Sequence, residues 1–315
     1  MRFLVYGAGA LGQALGCMLA RAGHDVDLVL RRRFIEALTK DGLRVSGIFG
    51  DFAARPAMLG LLEDISDAHG LYDFILVTTK AYDTGRAVAA VASLPGCRCP
   101  VVSMQNGCGN VEQLLERFGP KRSLAARVIT GFEIIVPGHV RITVSADAVH
   151  LGGAVSGPIP EAAGMLAGVI DGAGLPCRAV ADIHRDLHAK LLYNCALNPL
   201  GAILGVHYGA LAEDKEARAI MDQVIDETFA VITGIGGRVP WPDADSYKKV
   251  FYDRLVPITA DHRPSMLQDL ENGKPTEVEA LLGYVSKQGR QAAAPTPACD
   301  LLAGLVRFKE RRGRS

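Results

Sequence analysis

The chain has 315 residues, 49% of them hydrophobic and 22% charged, with Lys+Arg and Asp+Glu at 34 each. At ~150 residues per domain this is the length of about two domains, each large enough to bury a core without disulfide or metal staples. The apolar share excludes a mostly disordered chain, and the zero formal net charge argues against a nucleic-acid partner.

The chain begins with an apolar stretch after Met1-Arg2 that imitates a short signal peptide, but Gly7, Gly9, Gly12 and Gly16 interrupt it. Phe3–Tyr6 reads instead as a buried strand, followed at once by the turn Gly7-Ala8-Gly9-Ala10-Leu11-Gly12. Leu11, Leu15, Met18 and Ala22 then recur at helical spacing up to Gly23, and residues 24–30 form a second strand. Strand, glycine turn, helix and strand within thirty residues is the setting a dinucleotide fingerprint requires. Gly7 permits the turn, Gly9 admits a pyrophosphate, and Gly12 lets helix and strand approach. The N–H groups that open the helix complete an anion site with its positive dipole end. The alternative is a glycine turn without a ligand.

The second strand runs into Arg31-Arg32-Arg33. Guanidinium groups there suit a 2′-phosphate better than free ribose hydroxyls, which predicts NADP(H) over NAD(H). A solvated basic turn is the competing reading. Two further strands, over 72–79 and 101–105, end in Lys80 and Asn106-Gly107. Ligands in open parallel sheets lie beyond the carboxyl ends of strands, so Lys80 is a candidate cofactor contact and Asn106 a candidate cofactor or substrate contact. Each also reads as a plain turn residue. Residues 139–153 alternate apolar and polar and predict an antiparallel hairpin closing the sheet. A helix over 160–173 and a strand over 177–181 complete this half.

Beyond residue 182 the strand signals vanish, and helices are expected over 184–204, 211–235, 265–272, 277–291 and 297–312. The expected division is a Rossmann-type NADP-binding sheet domain over 1–182 and an all-α domain over 183–315, with a small substrate between them. Lys190, Asn194 and Asn198 share one face of a helix whose other directions carry Leu191, Leu192 and Leu197. Polar groups on a largely buried helix are costly unless paired or functional, although an exposed polar stripe gives the same pattern. Pro199 is expected to kink the helix. Ser265 and Thr276 read as helix caps, with Glu279 completing a capping box; capping leaves Glu277 unexplained.

These residues together resemble the ketopantoate reductase (2-dehydropantoate 2-reductase) family. The resemblance runs along nearly the whole chain, through the glycine turn, Arg31, Lys80, Asn106-Gly107, Lys190, Asn194, Asn198-Pro199, Ser265 and Thr276-Glu277. It implies that Lys190 is the proton donor and that Glu277 belongs with it in the catalytic set near the nicotinamide ribose and the substrate. It implies substrate binding by Asn194, Asn198, Ser265 and Asn106. It implies NADP contacts by Gly7, Ala8, Gly9, Ala10, Leu11, Gly12, Arg31, Lys80, Asn106, Glu277 and the backbone near Ile134. The chain departs from the family pattern at Gly131–Ile135, where a Thr-His-Ala-rich stretch is usual, and at Tyr208-Gly209, where Asn precedes the glycine. A related NADP-dependent reductase of another 2-oxo or 3-hydroxy acid would share every catalytic residue. A non-catalytic nucleotide sensor is a third reading, which the complete polar set opposes.

No transmembrane stretch is read. The seven cysteines include no CxxC unit, so no zinc site is expected, and their scatter suits a reducing cytoplasm. His184 and His188 have helical ligand spacing but no evident third ligand. The basic stretch Arg307–Arg314 reads as a solvated helix end, and apolar helices in the second half leave a homodimer open.

Overall fold

The computed structural model describes residues 1–313; Arg314 of the basic stretch and Ser315, the end of the expected second domain, lie outside them. The chain divides into two compact units, one of residues 1–106 and 110–183, the other of 107–109 and 184 onward.

The first unit opens with β1 (Arg2–Tyr6), α1 (Ala10–Arg21) and β2 (Asp25–Val29). It continues through α2 (Arg32–Asp41), β3 (Leu43–Gly47), β4 (Phe52–Ala54), β5 (Leu59–Leu62), β6 (Phe74–Val77) and α3 (Thr84–Ala92). Then come β7 (Val101–Ser103), α4 (Asn110–Phe118), β8 (Ser123–Arg127), β9 (Thr130–Val136) and β10 (His139–Ser145). It ends with β11 (Val149–Gly153), α5 (Glu161–Gly172) and β12 (Cys177–Ala179). The main sheet has eight strands in the order β12-β11-β8-β7-β6-β1-β2-β5. The six from β8 to β5 are parallel, and β11 runs antiparallel to β8. Its central strand β6, Phe74–Val77, is apolar and buried throughout because both faces are covered. In β1, Phe3 and Val5 enter one core while Leu4 enters another, where α3 and α4 place Ala87, Val88, Val91 and Leu114.

A second sheet of four strands, ordered β4-β3-β10-β9, was not legible as such. It packs on α1, which also meets β1 and β2 of the main sheet. Helix α1 is therefore buried along the whole run Gly12–Ala20, as expected of a helix covered on all sides.

This sheet corrects the expected hairpin over 139–153. Strand β10 pairs antiparallel with the preceding β9, Val140 opposite Ile134 and Ile142 opposite Phe132, around a turn at Gly138 with φ +84°. Strand β11 belongs to the main sheet. Alternation records which face is buried, not which strand is the partner. The break comes at Asp147, whose carboxylate accepts from Arg127 Nη2 and from the Ala148 N–H, each at 2.8 Å.

The second unit is helical: α6 (Ile183–Leu204), α7 (Tyr208–Glu213), α8 (Lys215–Gly234) and α9 (Ala244–Val250). A widened turn over 251–255 leads into the short α10 (Val256–Ile258), then α11 (Ser265–Glu271), α12 (Leu282–Gln291) and α13 (Pro297–Gly313). Helix α6 continues through Pro199 as a single element. The helix expected over 211–235 is divided at Asp214, whose carboxylate caps α8 by accepting the Ala217 N–H at 2.8 Å. The expected caps at 265 and 276 are corrected. Ser265 is the first helical residue after Pro264, with no side-chain cap. Thr276 Oγ1 accepts the Val278 N–H at 3.2 Å, but Glu279 pairs with Arg307 at 2.7 Å rather than reaching back.

One buried carboxylate joins two of these helices. Glu227 of α8 is 8% exposed and accepts the Ala298 and Cys299 N–H groups, at 2.8 and 2.9 Å, in the first turn of α13. Hydrogen bonds to a charged group contribute ~1.5–3 kcal/mol, and a stranded buried N–H costs ~1–3 kcal/mol. Glu227→Ala is expected to lower the unfolding free energy by about 3 kcal/mol in urea titrations, a large part of a typical domain's stability.

Candidate functional site

In the first unit the strand order reverses at β1, which lies between β2 and β6. Open parallel sheets bind their ligands beyond the strand ends at such a point. The Gly7 and Ala8 N–H groups both donate to the Val29 carbonyl, at 3.1 and 3.0 Å, tying the turn to the end of β2. Gly7 has φ +98°, and a Cβ there would strike Thr79. A Cβ on Gly12 would lie 2.6 Å from Thr78 Oγ1 and 3.1 Å from Val5 Cγ1. Gly9 differs: a Cβ there meets only the Gly7 carbonyl, at 3.9 Å. No internal clash demands that glycine, and it is exposed. The first helical bond runs from the Gln13 N–H to the Gly9 carbonyl at 2.9 Å, so Ala10, Leu11 and Gly12 present the opening N–H groups of α1. An open glycine before a helix N-terminus fits a phosphate group.

Two strand ends beside this turn are tied to one another. Gln105 Nε2 donates to Thr79 Oγ1 at 3.1 Å, to the Lys80 carbonyl at 3.4 Å and to Thr84 Oγ1 at 2.8 Å. Thr84 donates to Asn110 Oδ1 at 2.7 Å, and Asn110 Nδ2 donates to the Asn106 carbonyl at 2.9 Å. Lys80 and Asn106, both half-buried, are thus held by one buried network. Gln13, fully buried, likewise holds the Ala8 carbonyl at 2.9 Å. Sequence reading missed Gln13, Gln105 and Asn110. The available signal was a polar residue ending an apolar strand or following the last glycine of the turn.

Arg31, Arg32 and Arg33 are exposed where β2 passes into α2, and the Arg33 guanidinium lies 4.8 Å from the Phe34 ring centroid. Ile134 lies in the second sheet with its side chain against the core, apart from the strand ends that carry Lys80 and Asn106.

In the second unit, Asn194 and Asn198 are 8% and 6% exposed, which removes the exposed-stripe reading of α6. Lys190, one turn earlier on the same face, is half-buried. Asn198 Nδ2 donates to Asn194 Oδ1 at 3.3 Å, and the Tyr208 hydroxyl donates to Asn198 Oδ1 at 3.0 Å. A Cβ on Gly201 would lie 2.6 Å from Pro264 Cγ, so the missing side chain lets the start of α11, with Ser265, approach α6 one turn beyond Asn198. The Tyr208 and Gly209 N–H groups donate to the His262 and Ala260 carbonyls, at 3.2 and 2.8 Å. Asn194, Asn198, Tyr208 and Ser265 are gathered in this way. Glu277 is buried at the start of a tight turn over 278–280, whose Ala280 carbonyl accepts the Cys108 N–H at 2.8 Å. Among the described residues, no cluster of His, Cys, Asp or Glu could hold a metal ion, and no helix is long and apolar enough to cross a membrane.

A Rossmann-type sheet unit with a phosphate-fitting glycine turn, followed by a helical unit with a buried amide pair beside a lysine, defines an oxidoreductase acting on CH–OH/C=O groups. Residues 3–155 match the family model "Ketopantoate reductase PanE/ApbA", and residues 182–310 match its C-terminal counterpart. A 2-dehydropantoate 2-reductase of Aquifex aeolicus is 39% identical over 311 residues, covering 98% of this chain and 97% of its own. A PanE/ApbA family ketopantoate reductase structure from Ralstonia eutropha superposes with TM-score 0.88 at 30% identity, covering all of both chains. A D-mandelate dehydrogenase, solved with NADH and anilino(oxo)acetate, shares the fold with TM-score 0.86 at 24% identity over the whole of both chains. The chain belongs to the ketopantoate reductase family.

His262 gives this region a pH dependence. Its ring lies 5.2 Å from that of Tyr208, and burial lowers its pKa from the usual 6.5. The unfolded chain therefore binds this proton more readily than the folded one, and stability rises with pH across that interval. The contribution is fully present above ~6.5 and is lost as pH falls through that value toward the lower folded pKa. Between about pH 7 and pH 5, His262→Phe is expected to show a smaller fall in urea midpoint than the unsubstituted chain.

Proposed function

We propose that this protein reduces 2-dehydropantoate to pantoate with NADPH, residues 1–182 holding the cofactor and 183–315 the substrate. The observation that carries this reading is the buried pair Asn194–Asn198, one and two turns beyond Lys190 on α6. Neutral amide donors hold a carboxylate and a hydroxyl without adding a competing charge. The full-length likeness to the Aquifex aeolicus 2-dehydropantoate 2-reductase supports the choice of substrate.

When bound, NADPH supplies the hydride that adds to the C2 ketone. Lys190 stabilises the negative charge growing on the ketone oxygen and donates the proton. Asn194, Asn198 and Ser265 orient the acid, with Asn106. Glu277 acts beside Lys190 and contacts the nicotinamide ribose. The backbone of Gly7, Ala8, Gly9, Ala10, Leu11 and Gly12 holds the pyrophosphate. Arg31 holds the 2′-phosphate, Lys80 is a further cofactor contact, and the backbone near Ile134 is another. The open face of Gly9 and the exposure of Arg31 support that placement.

A second reading, reduction of a different branched 2-oxo acid, is favoured by Tyr208, an aromatic ring placed directly against Asn198. NADPH absorbance with ketopantoate and other branched 2-oxo acids separates the two.

Lys190→Ala is expected to lower kcat by roughly 10²–10⁴ while NADPH binding, followed by fluorescence, persists. A near-normal kcat rejects the proton-donor role. Arg31→Asp is expected to cut kcat/KM for NADPH by roughly 10- to 100-fold and to spare that for NADH, since a charge-assisted bond is lost. An unsubstituted enzyme that prefers NADH rejects the cofactor assignment.

A further inference from the structure

We infer that Tyr208 is a positioning residue, whose hydroxyl fixes the Asn198 amide so that Asn198 and Asn194 present N–H donors, not carbonyl oxygens, to the substrate. The inference rests on the reading that these amides hold a 2-oxo acid.

An asparagine amide changes little in shape when turned by 180°, so only its hydrogen-bond partners decide which end faces a ligand. On α6 that decision begins at Tyr208, which is 2% exposed. Its hydroxyl donates to Asn198 Oδ1 at 3.0 Å, and Asn198 Nδ2 donates onward to Asn194 Oδ1 at 3.3 Å. Each amide oxygen is engaged by one donor in this relay, and the Asn194 Nδ2 group and the second Asn198 N–H remain as donors. Reversing Asn198 would leave the Tyr208 proton buried without that acceptor, a costly arrangement.

The ring that carries the hydroxyl is itself held. Tyr193 meets it edge-on at 5.9 Å, and His262 lies 5.2 Å away. Tyr193 is fixed by a hydrogen bond between its hydroxyl and Thr259 at 2.5 Å. The backbone N–H groups of Tyr208 and Gly209 are bonded to the segment that carries His262. Burial pushes the Tyr208 phenol well above its ordinary range, so it remains a protonated donor at any working pH. A carboxylate substrate is attracted by the resulting N–H face and is repelled by the reversed one.

Tyr208→Phe keeps the ring and removes only the hydroxyl. The expected result is a rise of about tenfold in KM for the 2-oxo acid, as for loss of one polar contact, with KM for NADPH, kcat and Tm near those of the unsubstituted enzyme. In an Asn198→Ala background the same substitution is expected to change nothing further, because Tyr208 acts through Asn198. An unchanged KM in Tyr208→Phe, or the same fold-change in both backgrounds, overturns the inference. If Tyr208→Phe does not fold, Asn198→Asp keeps an acceptor for the hydroxyl and removes the donors. A KM for the 2-oxo acid left unchanged by Asn198→Asp would also overturn it. Turnover of 2-oxo acids by the unsubstituted enzyme reports on the functional reading alone: with turnover present, a failed Tyr208 test condemns only the positioning role, and absent turnover condemns both.

Discussion

Helix α1 can lie where it does only because the side it turns to the main sheet lacks two side chains. At Gly12 a Cβ would press on Thr78 and Val5, and at Gly16 it would lie 2.6 Å from Leu28 Cδ2. The helix is pressed from the opposite side by the second sheet, so it has no direction in which to yield. This close approach brings the opening N–H groups of α1 to the end of β1, where the strand order reverses. The same helix thus supplies the centre of the hydrophobic core and a set of opening N–H groups that fit an anion.

The polar residues around that point hold backbone rather than display charge. Gln13 fixes the Ala8 carbonyl, and Gln105 bonds at once to the segments carrying Lys80 and Thr84. A network this buried is costly if one member is removed and rigid when complete. Rigidity there matters because electrostatic recognition depends on donors that are oriented before the ligand arrives.

What could be read from the sequence follows the range of the interactions. The glycine turn, the strands at 3–6 and 24–30, and the lysine-asparagine face of α6 are local patterns, and each is where its spacing placed it. The second sheet joins β3 and β4 to β9 and β10 across nearly a hundred residues, and no local period carries such a pairing. Its strand β4 is also short, at three residues. The capping box failed for a related reason. Glu279 has the spacing of a capping box but is held by Arg307, which comes from a helix much later in the chain. The Asn194–Asn198 contact follows from helical spacing, whereas Tyr208 shows its part only once the chain has turned back.

On the proposed reading the two units meet negative charge by different physical means, and burial decides which. Arg31 to Arg33 stand in solvent, where an unpaired guanidinium costs little and yet draws a phosphate. On α6 the Asn194 and Asn198 side chains are buried, and a fixed cation in their place would carry a desolvation penalty of several kcal/mol. Neutral amides avoid that penalty, but they are ambivalent, offering an acceptor as readily as a donor. Such a site needs a buried proton to break the symmetry, and the Tyr208 hydroxyl is placed to supply it.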